Sequence, residues 1–397
     1  MAVTTAGGDS APKVALLNDP KIRAWIVQVV LLVVLVWLAW VGIANMFANL
    51  RELNISSGFG FLSRTAGFEI SQSLLEYNQA TSTFGRVFVV GLLNTLLVSA
   101  VGIVLATILG FIVGIARLSP NWVISKLATV YIETLRNIPL LLQIFIWYFA
   151  VLRLLPSRRD SLSLGFLGQL NISGWYAPKP VYGDGIYVVV AAFVIAVIGA
   201  IVLARWARKR QEATGETFPV FWASVGLIVL LPLIGYFIGG MPLSFEYPTA
   251  GNFGPRGGAR IYPEFIGLLL ALSFYTGAFI AEIVRAGILG VNKGQTEASY
   301  ALGLRPGSTL RLVIVPQALR IIIPPLTSQY LNLTKNSSLA VAIAYPDLVS
   351  VFAGTALNQT GQAVEILLMT MLTYLTLSLL ISAFMNWYNA KMALVER

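Results

Sequence analysis

EASYALGLRPGSTLRLVIVP runs from Glu297 to Pro316, between two segments apolar enough to cross a bilayer. Gln295 to Leu302 reads as a short helix on which Ala298, Ala301 and Leu302 share one face at i, i+3 and i+4 spacing. Gly303 supplies a C-terminal stop, and Pro306-Gly307 turns the chain before a new helix with Ser308 as its expected cap. The product is a rigid knob between two membrane helices. Its small residues allow a partner's backbone to come close, and Leu302 and Leu304 are its anchors. Without further signals it reads equally as an amphipathic linker lying on the membrane surface.

The surrounding composition favours a membrane setting. Of 397 residues, 57% are hydrophobic and only 11% charged, with a mean hydropathy of +0.79, beyond the balance of a soluble globular protein. The formal charge of +10 is distributed in short clusters beside apolar runs. That pattern fits loop orientation in a membrane better than nucleic-acid binding, and no nucleic acid is expected as a partner. There is no Cys and no His, so disulfide frameworks, imidazole-based metal sites and Ser-His-Asp chemistry are excluded. No catalytic residue and no metal ligand is assigned.

Since roughly 20 apolar residues cross the hydrocarbon core, the expected spans are Ala24 to Met46, Val87 to Ala116, Leu127 to Leu152, Ile186 to Ala204, Val220 to Gly239, Phe265 to Leu289, Ile321 to Ala344 and Ile366 to Trp387. The predicted fold is an all-α polytopic membrane bundle with about eight crossings. The first apolar run is longer than a signal-peptide core and reads as a retained anchor. Lys13, Lys21 and Arg23, Arg117 and Lys126, Arg205 to Arg210, Lys293, Arg305 and Arg311, and Lys391 and Arg397 fall on one side of an even number of crossings. Both termini and the knob are therefore expected to be cytoplasmic, although Arg158, Arg159 and Lys179 lie opposite. The segments Phe47 to Gly85, Pro156 to Gly185 and Gly240 to Pro263 read as ordered external loops. No phosphate-binding G-x-x-x-x-G-K-[ST] loop occurs, and Gly58-Phe59-Gly60 lacks the strand-turn-helix context of a nucleotide site.

The knob resembles the cytoplasmic loop of ABC importer permease subunits. That loop has Glu-Ala-Ala, three residues, Gly, nine residues and an aliphatic run ending in Pro. Here these are Glu297, Ala298, Ser299, Gly303 and Val313-Ile314-Val315-Pro316. Flanking stretches narrow the resemblance to polar amino acid permeases: Tyr275 to Arg285, Pro316 to Arg320, Leu333 to Leu339, and Glu133 to Gln143, where Asn137-Ile138 replaces the usual Gly-Thr. The resemblance implies a five-helix permease core formed by the second, third, sixth, seventh and eighth spans. In domain terms, residues 1–85 hold a tail, an extra helix and a loop. Residues 86–155 and 263–397 form the two parts of the core, and 156–262 an inserted hairpin with external loops. The added length looks like the larger subunit of a general L-amino acid importer of the bacterial inner membrane. By that resemblance the knob is a coupling helix docking on separate ATP-binding subunits, which carry the ATP and Mg. The resemblance further implies that this chain binds no cofactor of its own, is not an enzyme, and works beside a second homologous permease and a periplasmic amino-acid-binding protein.

For the amino acid itself, the path candidates are Lys335 with Gln329, Asn332, Asn336 and Ser337. A charge at membrane depth costs at least ~2.5 kcal/mol and so faces a cavity or a partner. Pro324-Pro325 is expected to begin or bend this helix. Glu133 and Arg136, with Asn137 beside them, would either add opposite charges to the same path or pair within their helix. Glu282 and Arg285 read as a gate or packing pair, and Gly110 with Gly114 as a helix-packing face. Two alternatives from other classes are an ion-coupled secondary amino acid transporter, whose inverted repeats are not evident, and an intramembrane hydrolase using Lys335 with Ser337 or Ser338.

Overall fold

A computed structural model describes residues 20–52 and 58–392. The N-terminal tail with Lys13, and the C-terminal Arg397, lie outside the described residues. The helices in chain order are α1 (Pro20–Glu52), α2 (Phe84–Arg117), α3 (Trp122–Asn137), α4 (Leu140–Phe145), α5 (Ile186–Thr214), α6 (Val220–Ile238), α7 (Pro263–Leu289), α8 (Lys293–Ala301), α9 (Pro306–Thr309), α10 (Val315–Asn336), α11 (Leu357–Thr360) and α12 (Ala363–Met392). Among the described residues seven helices are long and apolar enough to cross a membrane. The count reaches eight if the pair Trp122–Asn137 and Leu140–Leu154, bent by 108°, is one span.

The third expected span is therefore broken, at Ile138-Pro139. The residue before a proline is driven out of the helical region, and Ile138 is extended at φ −90°, ψ 125°. The Gln143 side-chain amide donates to the Leu135 carbonyl at 2.8 Å and the Ile138 carbonyl at 2.9 Å, which repairs acceptors freed by the break. The seventh expected span differs in the opposite sense. α9 and α10, joined by a π-helical turn at Leu310–Ile314 and extended by a 3-10 turn at Ser337–Ile343, form one rod from Pro306 to Ile343. Pro324 and Pro325 sit inside α10 without starting or breaking it. Their missing N–H groups take the i−4 donors from the Arg320 and Ile321 carbonyls, a cost that membrane helices tolerate.

α2 and α7 form the central pair, with α10, α3 and α4 packed around α7 and α12 against α10. In lipid the oily face of a helix gains little by leaving lipid for protein, so close backbone approach decides which helices pack. A Cβ at Gly110 would lie 2.5 Å from Ile280 Cβ, and one at Gly114 would lie 2.6 Å from the Ala281 carbonyl oxygen. The expected packing face is thus the α2–α7 contact. The core it closes includes Ala106, Leu268, Leu272, Ile280 and Leu333. A second cluster at the opposite end from α8 joins Phe61, Phe84, Val87, Phe352 and Ile366. α1 buries nothing in its apolar stretch, and α5 and α6 bury almost nothing except where they meet each other.

The connecting segments contain β structure that the sequence did not signal. β1 (Leu162–Ser163), β2 (Gln169–Asn171), β3 (Gly174–Ala177) and β6 (Ala259–Ile261) form an antiparallel sheet in the order β1-β2-β3-β6. β4 (Lys179–Tyr182) and β5 (Leu243–Glu246) form a separate ribbon at the base of the α5–α6 hairpin, with Lys179 opposite Glu246.

Candidate functional site

The knob folds for reasons local to its sequence. Asn292 Oδ1 accepts from the Gly294 backbone N–H at 2.8 Å and caps α8. At the other end Gly303 adopts φ 78°. Its N–H donates to the Tyr300 carbonyl at 2.9 Å, and the Leu304 N–H donates to the Ser299 carbonyl at 3.1 Å. This pair of bonds is the Schellman stop that glycine permits. The next helix begins three residues earlier than expected: Pro306 occupies its first turn and Arg305, not Ser308, is the cap. Proline at that position has no N–H to leave unsatisfied.

On the finished knob Glu297, Ala298 and Ala301 are exposed, and Leu302 is 82% exposed, while Leu304 is half-buried. Ser299 turns inward and donates to the Gln295 carbonyl at 2.6 Å. The Gln317 amide donates to Gln295 Oε1 at 3.3 Å. α8 is thereby tied to the base of the rod that begins at Pro306 and contains the half-buried Pro316.

Near the same end, α2, α3 and α7 are joined by charge. Arg117 contacts Glu282 and reaches Glu133 at 3.4 Å, while Arg285 pairs with Glu282 at 2.6 Å. The Glu282–Arg285 pair is as expected. Glu133 and Arg136 do not pair: Glu133 turns to Arg117, and the Arg136 guanidinium lies 5.1 Å from the Phe279 ring centroid. The Asn137 amide donates to the Glu133 carbonyl at 2.7 Å. These three side chains are engaged by α2, by α7 and by their own helix.

Higher on the rod, Asn332 and Lys335 are exposed and Gln329 and Asn336 half-exposed. Lys335 lies in the last turn of α10, with no ion-pair partner among the described residues. Ser337 does not share this face. It is fully buried and donates to the Thr334 carbonyl at 2.7 Å. Ser338 donates to the Lys335 carbonyl at 2.7 Å, so neither serine hydroxyl is directed at the lysine as the hydrolase alternative needs.

A buried polar hub went unread in the sequence. Asn94 donates to the carbonyls of Gln72 at 2.9 Å and Pro346 at 2.8 Å, Tyr345 donates to the Asn94 carbonyl at 3.0 Å, and Thr95 Oγ1 accepts from Leu348 N–H at 3.0 Å. Asp347, with no exposed surface, accepts from Ser350 N–H at 2.8 Å and from the Tyr374 hydroxyl at 3.3 Å. It lies between the apolar spans, and burial pushes its carboxyl up to about 7, against the lowering pull of those hydrogen bonds. The sequence signal was available: an isolated acid among apolar residues is seldom idle.

Among the described residues no group of three or more His, Cys, Asp or Glu side chains is placed to hold a metal ion. The family model described as binding-protein-dependent transport system inner membrane component matches residues 196–394. The general L-amino acid transport system permease protein AapQ of Rhizobium johnstonii is 57% identical over 379 residues, covering 96% of this chain and 94% of that one. The chain belongs to this family of transport permeases. The putative amino-acid ABC transporter permease protein YhdX of Escherichia coli is 52% identical, with 96% of each chain covered. The glutamate/glutamine/aspartate/asparagine transport system permease protein BztB of Rhodobacter capsulatus is 42% identical, also with 96% of each covered. A solved amino acid ABC transporter with histidines aligns at a TM-score of 0.46 and 18% identity, over 78% of this chain and 95% of that one. In this permease, the family match begins within α5 and takes in the knob and the whole rod. The stretch Glu133 to Gln143, which also carried the resemblance, falls before the family match.

Proposed function

We propose that this permease is one of an unlike pair of membrane subunits in an ATP-driven amino acid importer of the bacterial inner membrane. ATP and Mg are held by separate ATP-binding subunits that dock on α8. A periplasmic binding protein delivers the amino acid to the end of the bundle opposite α8, and both termini are cytoplasmic. What supports this reading above all is one continuous helical rod: an exposed, glycine-locked knob is tied to its base, and an exposed polar face lies near its far end.

Asn332, Lys335 and their neighbours are costly against lipid. The second permease would cover that face, and the seam between the two subunits would be the substrate path, where Lys335 attracts the carboxylate of the amino acid. Leu302 and Ala298, held out from the knob, would fill a pocket on the ATP-binding subunit. Closure of that subunit would tilt the rod as a unit and change which end of the seam is open. Glu282, Arg285 and Arg117 would hold α2, α3 and α7 together as the gate end moves.

The test is uptake of acidic, basic and neutral L-amino acids into liposomes containing the assembled transporter, with and without ATP and the binding protein. Uptake needing both is expected. Uptake that proceeds without ATP sinks the reading and favours an ion-coupled carrier.

A further inference from the structure

At the end of the bundle opposite α8, the β-sheet and the first turn of α7 enclose a cavity of about 220 Å³ lined by Tyr148, Arg153, Ser173, Arg260 and Glu264 among others. It is smaller than the ~300–1,000 Å³ of drug-sized ligand pockets, and its size suits a single small solute.

Its polar groups are arranged but incompletely satisfied. Glu264 Oε1 accepts from the Tyr148 hydroxyl at 2.8 Å, whereas Oε2 is buried with no hydrogen-bond partner. Arg260 is fixed by its Nε donating to the Ser173 carbonyl at 2.9 Å and by lying 4.4 Å from the Tyr262 ring centroid. Among the described residues its terminal nitrogens meet no acceptor, and Arg153 makes no hydrogen bond or ion pair. A buried carboxylate oxygen without a donor costs free energy until one arrives.

An incoming carboxylate alone would suit the two guanidinium groups but would face Glu264. An incoming ammonium alone would suit Glu264 but would face Arg153 and Arg260. We infer that this cavity is a second amino-acid site, separate from the seam, in which Arg153 and Arg260 take the α-carboxylate and Glu264 takes the α-ammonium group. A ligand carrying both charges on one carbon satisfies every group at once. The inference rests on the amino-acid reading above.

The transporter assembled in lipid nanodiscs without its binding protein is tested by equilibrium binding of tritiated L-alanine, L-glutamine, L-glutamate and L-arginine. Saturable binding of at least one is expected, competed by glycine but not by acetate or methylamine at equal concentration. Arg153→Gln and Glu264→Gln are each expected to weaken it at least tenfold. Arg153 is exposed and makes no bond in the fold, so its variant answers even if Glu264→Gln fails to assemble. Absent binding, equal competition by acetate, or binding that survives Arg153→Gln but is lost in Lys335→Met overturns the inference. So does an Arg153→Gln variant that binds amino acid normally and fails only in docking the binding protein. ATP-driven uptake by the unmodified transporter, measured in parallel, separates the two readings: uptake without this binding defeats the second site alone.

Discussion

Gly110 of α2 lies so close to Ile280 of α7 that a Cβ on the glycine would stand 2.5 Å from the isoleucine Cβ. The neighbour on one side is a β-branched side chain whose χ1 is stiff, and on another the Gly277 carbonyl, 3.0 Å from the same point. There is little room for either to yield. Gly110→Ala is expected to destabilise the permease by about 1–3 kcal/mol through overpacking, and Gly110→Leu to prevent accumulation of folded protein. Thermal unfolding in detergent checks the first, and recovery from the membrane fraction the second. A Gly110→Leu variant of normal yield and stability would show that α2 and α7 do not meet there.

The knob predicts a separation of functions. Leu302 is exposed and supports nothing within this chain, so Leu302→Asp is expected to leave stability unchanged while lowering uptake more than tenfold and weakening retention of the ATP-binding subunits. Gly303→Ala places a Cβ at φ 78°, a strain of roughly 1–2 kcal/mol, and is expected to loosen the stop and uncouple hydrolysis from uptake. Pull-down with the ATP-binding subunits and the ratio of ATP hydrolysed to substrate moved are the measurements.

Lys335→Met removes an exposed cation near the far end of the rod without breaking an ion pair of the fold. Uptake of amino acids is expected to fall at least tenfold, with basal ATP hydrolysis retained and a smaller effect for Lys335→Arg. Normal uptake by the Met variant would rule the residue out as the carboxylate partner.

Asp347 gives stability a pH dependence of definite sign. Its carboxyl titrates near 7 in the folded protein, against an unfolded value of 3.8. The folded state therefore holds the proton more tightly, and the stabilisation is complete below about pH 4 and is lost as pH rises through 7. The groups facing it are Ser350, Tyr345 and Tyr374, none of them a cation. Between about pH 4 and pH 7 the melting temperature of the purified permease is expected to fall and above that to level off, and Asp347→Asn is expected to flatten that slope. A wild-type slope that persists in the variant assigns the effect to other groups.

Much of this architecture was legible in the sequence because hydropathy and glycine placement are local signals. The runs beginning near Val87, Ile186, Val220, Phe265 and Ile366 became α2, α5, α6, α7 and α12, and the Gly303 stop formed as read. What went unread depends on partners distant in sequence. Glu133 and Arg136 have the right spacing to pair, but Arg117 offers Glu133 a cation from another helix and Phe279 offers Arg136 a ring. Ser337 follows Asn336 directly, yet the 3-10 turn that begins there rotates it into the bundle. The Pro324-Pro325 pair looked like a helix boundary because it removes two donors, yet both prolines sit inside the continuous α10. The strands of the sheet are two to four residues long, too short to show alternation. Asp347 gained its meaning only when α2 packed against its loop and α12 brought Tyr374 to it.

The β3–β6 and β4–β5 ladders act on the outgoing and returning strands of the chain around the α5–α6 hairpin. Trp175 is opposite Ile261 and Tyr182 opposite Leu243, so the departing and arriving backbones are held one strand spacing apart, about 4.8 Å. A branch gripped at its root in this way can grow, shrink or be exchanged during evolution while the trunk on either side keeps its course. Grafting this segment between relatives at Ala177 and Ala259, which already face each other across the ladder, would leave the rest of the bundle undisturbed.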